Sequence, residues 1–455
     1  MQQSTDAGRN QILGLSPYEA WQEREGIPVY EANYVENMYT LPLGPWDRKG
    51  GTGAYVNLAG QYEDDAMIVE IPPGGELKPD HHMYEAMIFV LAGRGATTVW
   101  GPDVPKRTVE WKAGSLFASP LNMWYQHFNA SGTEPARLLA VTRQPKIFEL
   151  YRSPEFVYNC DFAFNERFAG QEDYFTDPGA RLKRLVWKTN FVPDVRTFAL
   201  EEYPERGPGF NMKFVLSDNS MIAHVSEFPI ATYKKGHRHG PGAHVIIIGG
   251  EGYSLLWFEG DKERTRVNWR DGSILSPAAR MYHQHFNGGP TPARYLALRL
   301  GGNANPQFRP RRLAQDAEHL TERARDQIEY QTEDPSIRAE YAAEIAKHGL
   351  ELQVNDANYR IEDTIARVRS GELARLRASR LGKPSLLIAL ILVLAACAPA
   401  QSTPRSSSSQ PQNPASDGPR GILRIAEPTE PETLAAKLAG GGAAVNEFNW
   451  LSTRT

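Results

Sequence analysis

Gly236-His237-Arg238-His239-Gly240-Pro241-Gly242-Ala243-His244 runs directly into Val245-Ile246-Ile247-Ile248-Gly249-Gly250-Glu251-Gly252. Three histidines fall within eight residues, ahead of an apolar run that ends in Gly-x-Gly. About forty residues on stands His283-Gln284-His285-Phe286-Asn287, so five of the eleven histidines lie in two short pieces. Alternate side chains of a strand face the same way, which puts His237 and His239 on one face, as two ligands of one ion. Neutral imidazole suits Zn, Fe, Ni and Cu, and three or four imidazoles with an open position suit a catalytic transition metal. The set predicted is His237, His239 and His283, with His244 as a fourth ligand or a supporting group.

The remainder of the chain suits such a site. It has 455 residues, 41% apolar and 23% charged, with net charge −4. That is ordinary for a globular protein of several domains and offers no basic field for nucleic acid. Aromatics at 10% favour β-rich cores. Two cysteines, Cys160 and Cys397, are too few for a disulfide scaffold. Cys160, among aromatic neighbours, reads as a small apolar filler. The first twenty residues are polar and lack the apolar core of an export signal, so a cytoplasmic location is expected for the body.

Ser16-Pro17-Tyr18-Glu19 is a capping box that predicts a helix to about Glu25. Short strands are predicted at Val56–Leu58, Ala66–Ile71, Met87–Leu91, Ala96–Trp100 and Leu138–Thr142, an all-β pattern of sandwich or barrel type. The pattern then repeats. Adding 157 takes Glu70 to Glu227, Pro72 to Pro229, His82 to His239, Gly93 and Gly95 to Gly250 and Gly252, and Trp100 to Trp257. After one inserted residue, Trp111 becomes Trp269 and Gln126-His127-Phe128-Asn129 becomes Gln284-His285-Phe286-Asn287. The body is one β-module duplicated, at 1–155 and 156–310.

Both modules resemble the cupin family, whose first motif is Gly, then His-x-His, then a Glu, and whose second is Gly, Pro, His and Asn. His237, His239, Gly272, Pro277, His283 and Asn287 match, His244 falls in the Glu slot, and one extra residue separates Pro277 from His283. The resemblance implies two tandem jelly-roll barrels of the double-stranded β-helix type. The two-barrel layout resembles the gentisate-dioxygenase-like group, although there the first barrel usually carries the metal. In the first module the repeat puts Asp80, His82, Met87 and Tyr125 at the ligand positions, so its motif is degenerate. A weak second site would draw on Asp80, His82, Glu85 and His127.

The resemblance implies an Fe(II)-type dioxygenase, with Mn, Ni or Zn as alternative metals. Three neutral imidazoles leave the metal's charge on the site, which favours a small anionic, bidentate substrate such as a hydroxy-carboxylate, and the resemblance to the gentisate-dioxygenase-like group implies a hydroxy-aromatic acid. His285 is expected beside the metal as proton carrier or orienting partner, with Lys235, Tyr253, Trp257 and Arg280 as rim residues. The alternatives are a decarboxylase, isomerase or aminohydrolase on the same scaffold, or a binding barrel without catalysis. Cupins tend to oligomerise, so a homo-oligomer is expected.

Residues 311–383 form a charged segment predicted helical from Asp316 to Lys347, with a break at Asp334-Pro335, and again from Asn358 to Arg380. Arg375, Arg377, Arg380 and Lys383 form a basic flank before 384–397, whose run of about twelve apolar residues ends Leu394-Ala395-Ala396-Cys397, a pattern that resembles a lipoprotein signal with Cys397 as the lipidated residue. Such a run spans roughly 18 Å as a helix, short of a bilayer core of about 30 Å. Residues 398–455 begin as a Ser/Pro-rich linker, and Gly421–Pro428 resembles the start of a peptide-transporter solute-binding protein. This tail reads as the front of a second protein joined to the body. Membrane association through 385–397 is the only such contact expected.

Overall fold

The computed structural model describes residues 14–59, 63–240, 243–300 and 326–372. The lipoprotein-like run, the Ser/Pro-rich linker and parts of both charged helices lie outside these residues. The fold is two tandem cupin-type β-barrels. In the first, strands Gly51–Leu58, Asp65–Ile71, Ala136–Thr142, Ala86–Ala92 and Leu116–Ala118 form one wall, and Trp124–Asn129, Arg94–Trp100 and Arg107–Lys112 the other. The second repeats this with Phe210–Val215, Met221–Phe228, Ala293–Leu300, Ala243–Gly249 and Ile274–Leu275 facing Thr265–Arg270, Glu251–Trp257 and Tyr282–Asn287.

The large sheets have two apolar faces, and strand alternation divides them. Ile246 and Ile248 join Phe89, Val141, Phe214 and Leu298 in a core shared by both barrels. Val245 and Ile247 turn into the second barrel beside Trp269 and Tyr295. The barrels also exchange edges. Tyr34–Val35 pairs with Ile274–Leu275 of the second barrel, and Phe191–Val192, one repeat later, pairs with Leu116–Phe117 of the first. Each module's leading segment thus closes the other's sheet, covering an edge that would otherwise be open.

The predicted capping box is formed: helix Pro17–Glu25 starts with Ser16 accepting from the Glu19 amide while Glu19 bonds back to Ser16. Asp334 caps helix Pro335–Ala346, so the Asp-Pro break is a helix start. This helix lays Ile337, Tyr341 and Ile345 on the outside of the second barrel, against Tyr233, Tyr253 and Phe286. A shorter helix, Ile361–Arg369, follows. Among the described residues no helix is long and apolar enough to cross a membrane.

Candidate metal centre

His237 and His239 lie on a short extended segment and His283 on strand Tyr282–Asn287. One ring nitrogen from each lies within 4.8 Å of the others, and among the described residues this is the one such group of three potential ligands. The ring centroids of His237 and His283 are 4.3 Å apart, and those of His239 and His283 are 4.8 Å apart.

The two buried imidazoles are oriented in the same way. Nδ1 of His237 lies 3.1 Å from the carbonyl of Lys235, and Nδ1 of His283 lies 3.1 Å from the carbonyl of Met281. A carbonyl only accepts, so Nδ1 must carry the proton and Nε2 keeps its lone pair. Burial holds both rings neutral, with His283 pushed down to about 4 and His237 also well below its usual range, where Arg206 adds to the effect. A neutral three-imidazole donor set fits a divalent transition metal.

The described walls of the cavity under these histidines are polar and basic. Arg206, Lys213, Lys234, Arg299 and His224 line it, together with Tyr203, Tyr295, Asn211 and His285, and no described carboxylate does. Its volume is about 50 Å³. Lys234 donates to the carbonyl of Pro208 at 2.9 Å, and burial lowers its ammonium to about 7.

Most of these residues belong to no motif, although the repeat carries their signal. Met67, Val69, Leu138 and Thr142 of the first barrel's interior correspond to His224, Ser226, Tyr295 and Arg299. Tyr55, which pairs with Met67, corresponds to Lys213, which pairs with His224. One interior is apolar and the other polar, and the change falls at alternate positions of three strands.

Other expected site residues lie elsewhere. His244 does not join the three histidines. It shares strand parity with Ile246 and Ile248, so it faces the inter-barrel core, where its Nδ1 lies 3.9 Å from Oδ2 of Asp64 in the first barrel. Tyr253 and Trp257 alternate with the inward Ser254 and face the outer cluster, Tyr253 stacked on Phe286 and Trp257 on Tyr282. Lys235 is buried on Glu329 at 2.7 Å and on the Tyr359 carbonyl. Arg280 turns to Asp326.

His285 adjoins His283, with ring centroids 5.5 Å apart. Its Nδ1 lies 2.7 Å from Ser254 Oγ, which accepts from Trp269 at 2.9 Å. The first barrel has the same arrangement, His127 at 2.7 Å from Thr97 and Trp111 donating to Thr97 at 2.8 Å. Because it occurs in the barrel without a histidine cluster, the arrangement belongs to the wall common to both modules.

The weak second site does not assemble. Asp80 bonds the buried Lys49 ammonium, which lies 3.0 Å from the Tyr125 hydroxyl. Tyr125 in turn lies 3.1 Å from Nε2 of His82. Asp80 and Tyr125 are the repeat equivalents of His237 and His283, so a lysine cation bonds the side chains at two of the ligand positions. Glu85 instead accepts from the amide of Ser220 at 2.8 Å and from Arg167 at 3.1 Å, joining the barrels. Cys160 is a half-buried free thiol whose carbonyl accepts from Asn122 at 2.8 Å.

Residues 67–142 match the cupin domain family model, within the barrel that lacks the cluster. Solved structures of Bacillus subtilis oxalate decarboxylase are similar to this chain. One mutant form aligns at 14% identity over 58% of this chain and 76% of that chain, with a TM-score of 0.41. The structure used to assign the Mn(II) centres of that enzyme aligns at 14% identity over the same shares, with a TM-score of 0.40. A search of curated proteins finds no match.

Proposed function

We propose that the second barrel holds one divalent transition metal on His237, His239 and His283 and acts on a small carboxylic acid. The observation that carries this reading is the pair of anchored imidazoles, His237 and His283, each presenting Nε2 beside His239. The proposed metal is Fe(II) and the proposed reaction an oxygen-dependent cleavage. Fe(II) there would supply the one-electron chemistry that ground-state dioxygen requires. The protein contributes charge, orientation and exclusion of water. Arg206, Lys213 and Arg299 face the cavity and favour a carboxylate, and Tyr295 and Asn211 offer polar contacts.

The basic lining favours a small acid held through its carboxylate, a hydroxy-carboxylate or a hydroxy-aromatic acid. A second reading has one observation in its favour. Lys234, with its ammonium near 7, would be a proton donor for a metal-dependent decarboxylation without net oxidation.

Oxygen uptake separates the two. The Fe(II)-loaded full chain, given a panel of small hydroxy- and oxo-acids, is expected to consume O₂ in proportion to the acid lost. Loss of acid with release of CO₂ and no O₂ uptake would replace the first reading by the second. No turnover with any acid, in a chain that binds the metal, would leave a binding barrel.

A further inference from the structure

Both ligand-bearing loops are held by a residue that lies outside the two barrels. Residues 326–328 pair along the His237 segment: the Arg238 amide donates to the Asp326 carbonyl at 2.9 Å, and the Ile328 amide donates to the Gly236 carbonyl at 2.8 Å. His237 is therefore bridged on one side to His283 and on the other to Gln327.

The Asp326 side chain joins the loops themselves. Oδ1 accepts from Nε of Arg238 at 3.1 Å, between His237 and His239 in sequence. Arg280, three residues before His283, donates to both oxygens, at 2.8 and 3.1 Å. Arg280 has a left-handed backbone, φ 65°, a conformation that L residues rarely adopt and that persists only where the surroundings impose it. Its amide donates to the His239 carbonyl at 2.9 Å. The Arg238 guanidinium lies 4.7 Å from the Tyr282 ring centroid, next to His283.

We infer that Asp326 is a positioning residue of the metal centre. It sets the separation of the 237–239 and 280–283 loops, and so the spacing of the three imidazoles, by clamping Arg238 and Arg280. The inference rests on the metal reading above. It assigns to the segment after the second barrel a part in forming the site.

The test is Co(II) binding to the full chain, read by competition affinity and by the visible ligand-field spectrum. Asp326→Asn keeps the shape and removes the charge. It is expected to weaken Co(II) binding by about 10-fold or more and to alter the spectrum, as loss of outer partners of metal ligands does. Asp326→Glu should recover much of the affinity. Arg280→Lys, which keeps the charge but loses the two-pronged bond, should act like Asp326→Asn in weaker form.

Tyr341→Phe is the control. The Tyr341 hydroxyl holds the same C-terminal segment to the carbonyls of Thr232 and Asn287, at 2.9 and 2.8 Å, rather than to the ligand loops. It should lower the melting temperature and leave the spectrum unchanged. Unchanged affinity and spectrum in Asp326→Asn would overturn the inference. So would an equal loss of affinity in Tyr341→Phe, which would mean general loosening. A wild-type chain that takes up no Co(II) would overturn the metal reading, and this inference with it.

Discussion

His237 and His283 exchange both backbone hydrogen bonds, His237 N to His283 O at 3.0 Å and His283 N to His237 O at 2.8 Å. Two histidines 46 positions apart in sequence are thereby fixed as direct cross-strand neighbours. Such pairs stand close enough for their side chains to act on one centre. The first barrel repeats the exchange between Asp80 and Tyr125, at 3.0 and 2.9 Å, with different side chains on it. One backbone device therefore serves a histidine centre in one barrel and a lysine-centred ion pair in the other.

Lys49→Met tests that ion pair. It removes a buried cation from Asp80, whose carboxyl is held well below its usual range, against the effect of burial, by Lys49 and Arg48. A buried charge that loses a partner costs about 3 kcal/mol, and Arg48 remains to limit the loss. Urea unfolding should give a destabilisation of about 2 to 3 kcal/mol. A change below about 0.5 kcal/mol would mean that the pair does not hold the barrel together.

Asp64 and His244 give a pH test of the inter-barrel core. Burial raises the Asp64 carboxyl to about 8, with Asp65 adding to it, and burial lowers His244 to about 4. A carboxyl raised on folding keeps its proton while the unfolded chain, at about 3.9, releases it. The folded state then binds more protons, and stability falls as pH rises from about 4 to 8. Relative to Asp64→Asn, the wild-type chain should lose stability progressively across that window. Parallel stability curves for the two proteins would contradict this.

Ser254→Ala leaves Nδ1 of His285 and Nε1 of Trp269 without their shared partner, and Thr97→Val does the same to His127 and Trp111. Each should cost about 2 kcal/mol in chemical denaturation, because a buried group left unpaired loses more than the bond itself gains. Metal content should be unchanged in both. A loss confined to Ser254→Ala, accompanied by loss of metal, would make His285 part of the centre instead of the wall.

Lys213→Met tests the anionic substrate class. Lys213 faces the cavity from strand Phe210–Val215 and, on the proposed function, adds to the field that holds a carboxylate. Affinity of the metal-loaded chain for a small hydroxy-acid such as glycolate, measured by calorimetry, should fall about 10-fold, the worth of one charge-assisted bond. Equal affinity for glycolate and for the uncharged glycolamide would contradict the class.

Duplication was legible because the barrel turns and both motifs recur in register, and the histidine pair was legible because alternate strand positions share a face. His244 was misplaced by the same rule. It starts the Ile-rich strand with the parity of Ile246, and motif spacing alone does not reveal which face of a doubly buried sheet meets the cavity. Tyr253 and Trp257 failed similarly, since an outer helix makes the far face as aromatic as the near one. Lys213 and Arg299 were obscure because the motifs lie at loops, whereas these two come from strands, and Arg206 comes from a single 3-10 turn, Pro204–Arg206, that carries no motif. Asp326 lies 43 residues beyond His283, and only the folded chain brings it to Arg238 and Arg280.

The central claim, one metal in the second barrel, is tested most directly by metal content of the full chain by mass spectrometry, alongside His237→Ala. The account predicts about one transition metal per chain, absent from the variant, with Lys49→Met leaving the wild-type count in place. No metal after anaerobic loading, or two per chain with one surviving in His237→Ala, would contradict it.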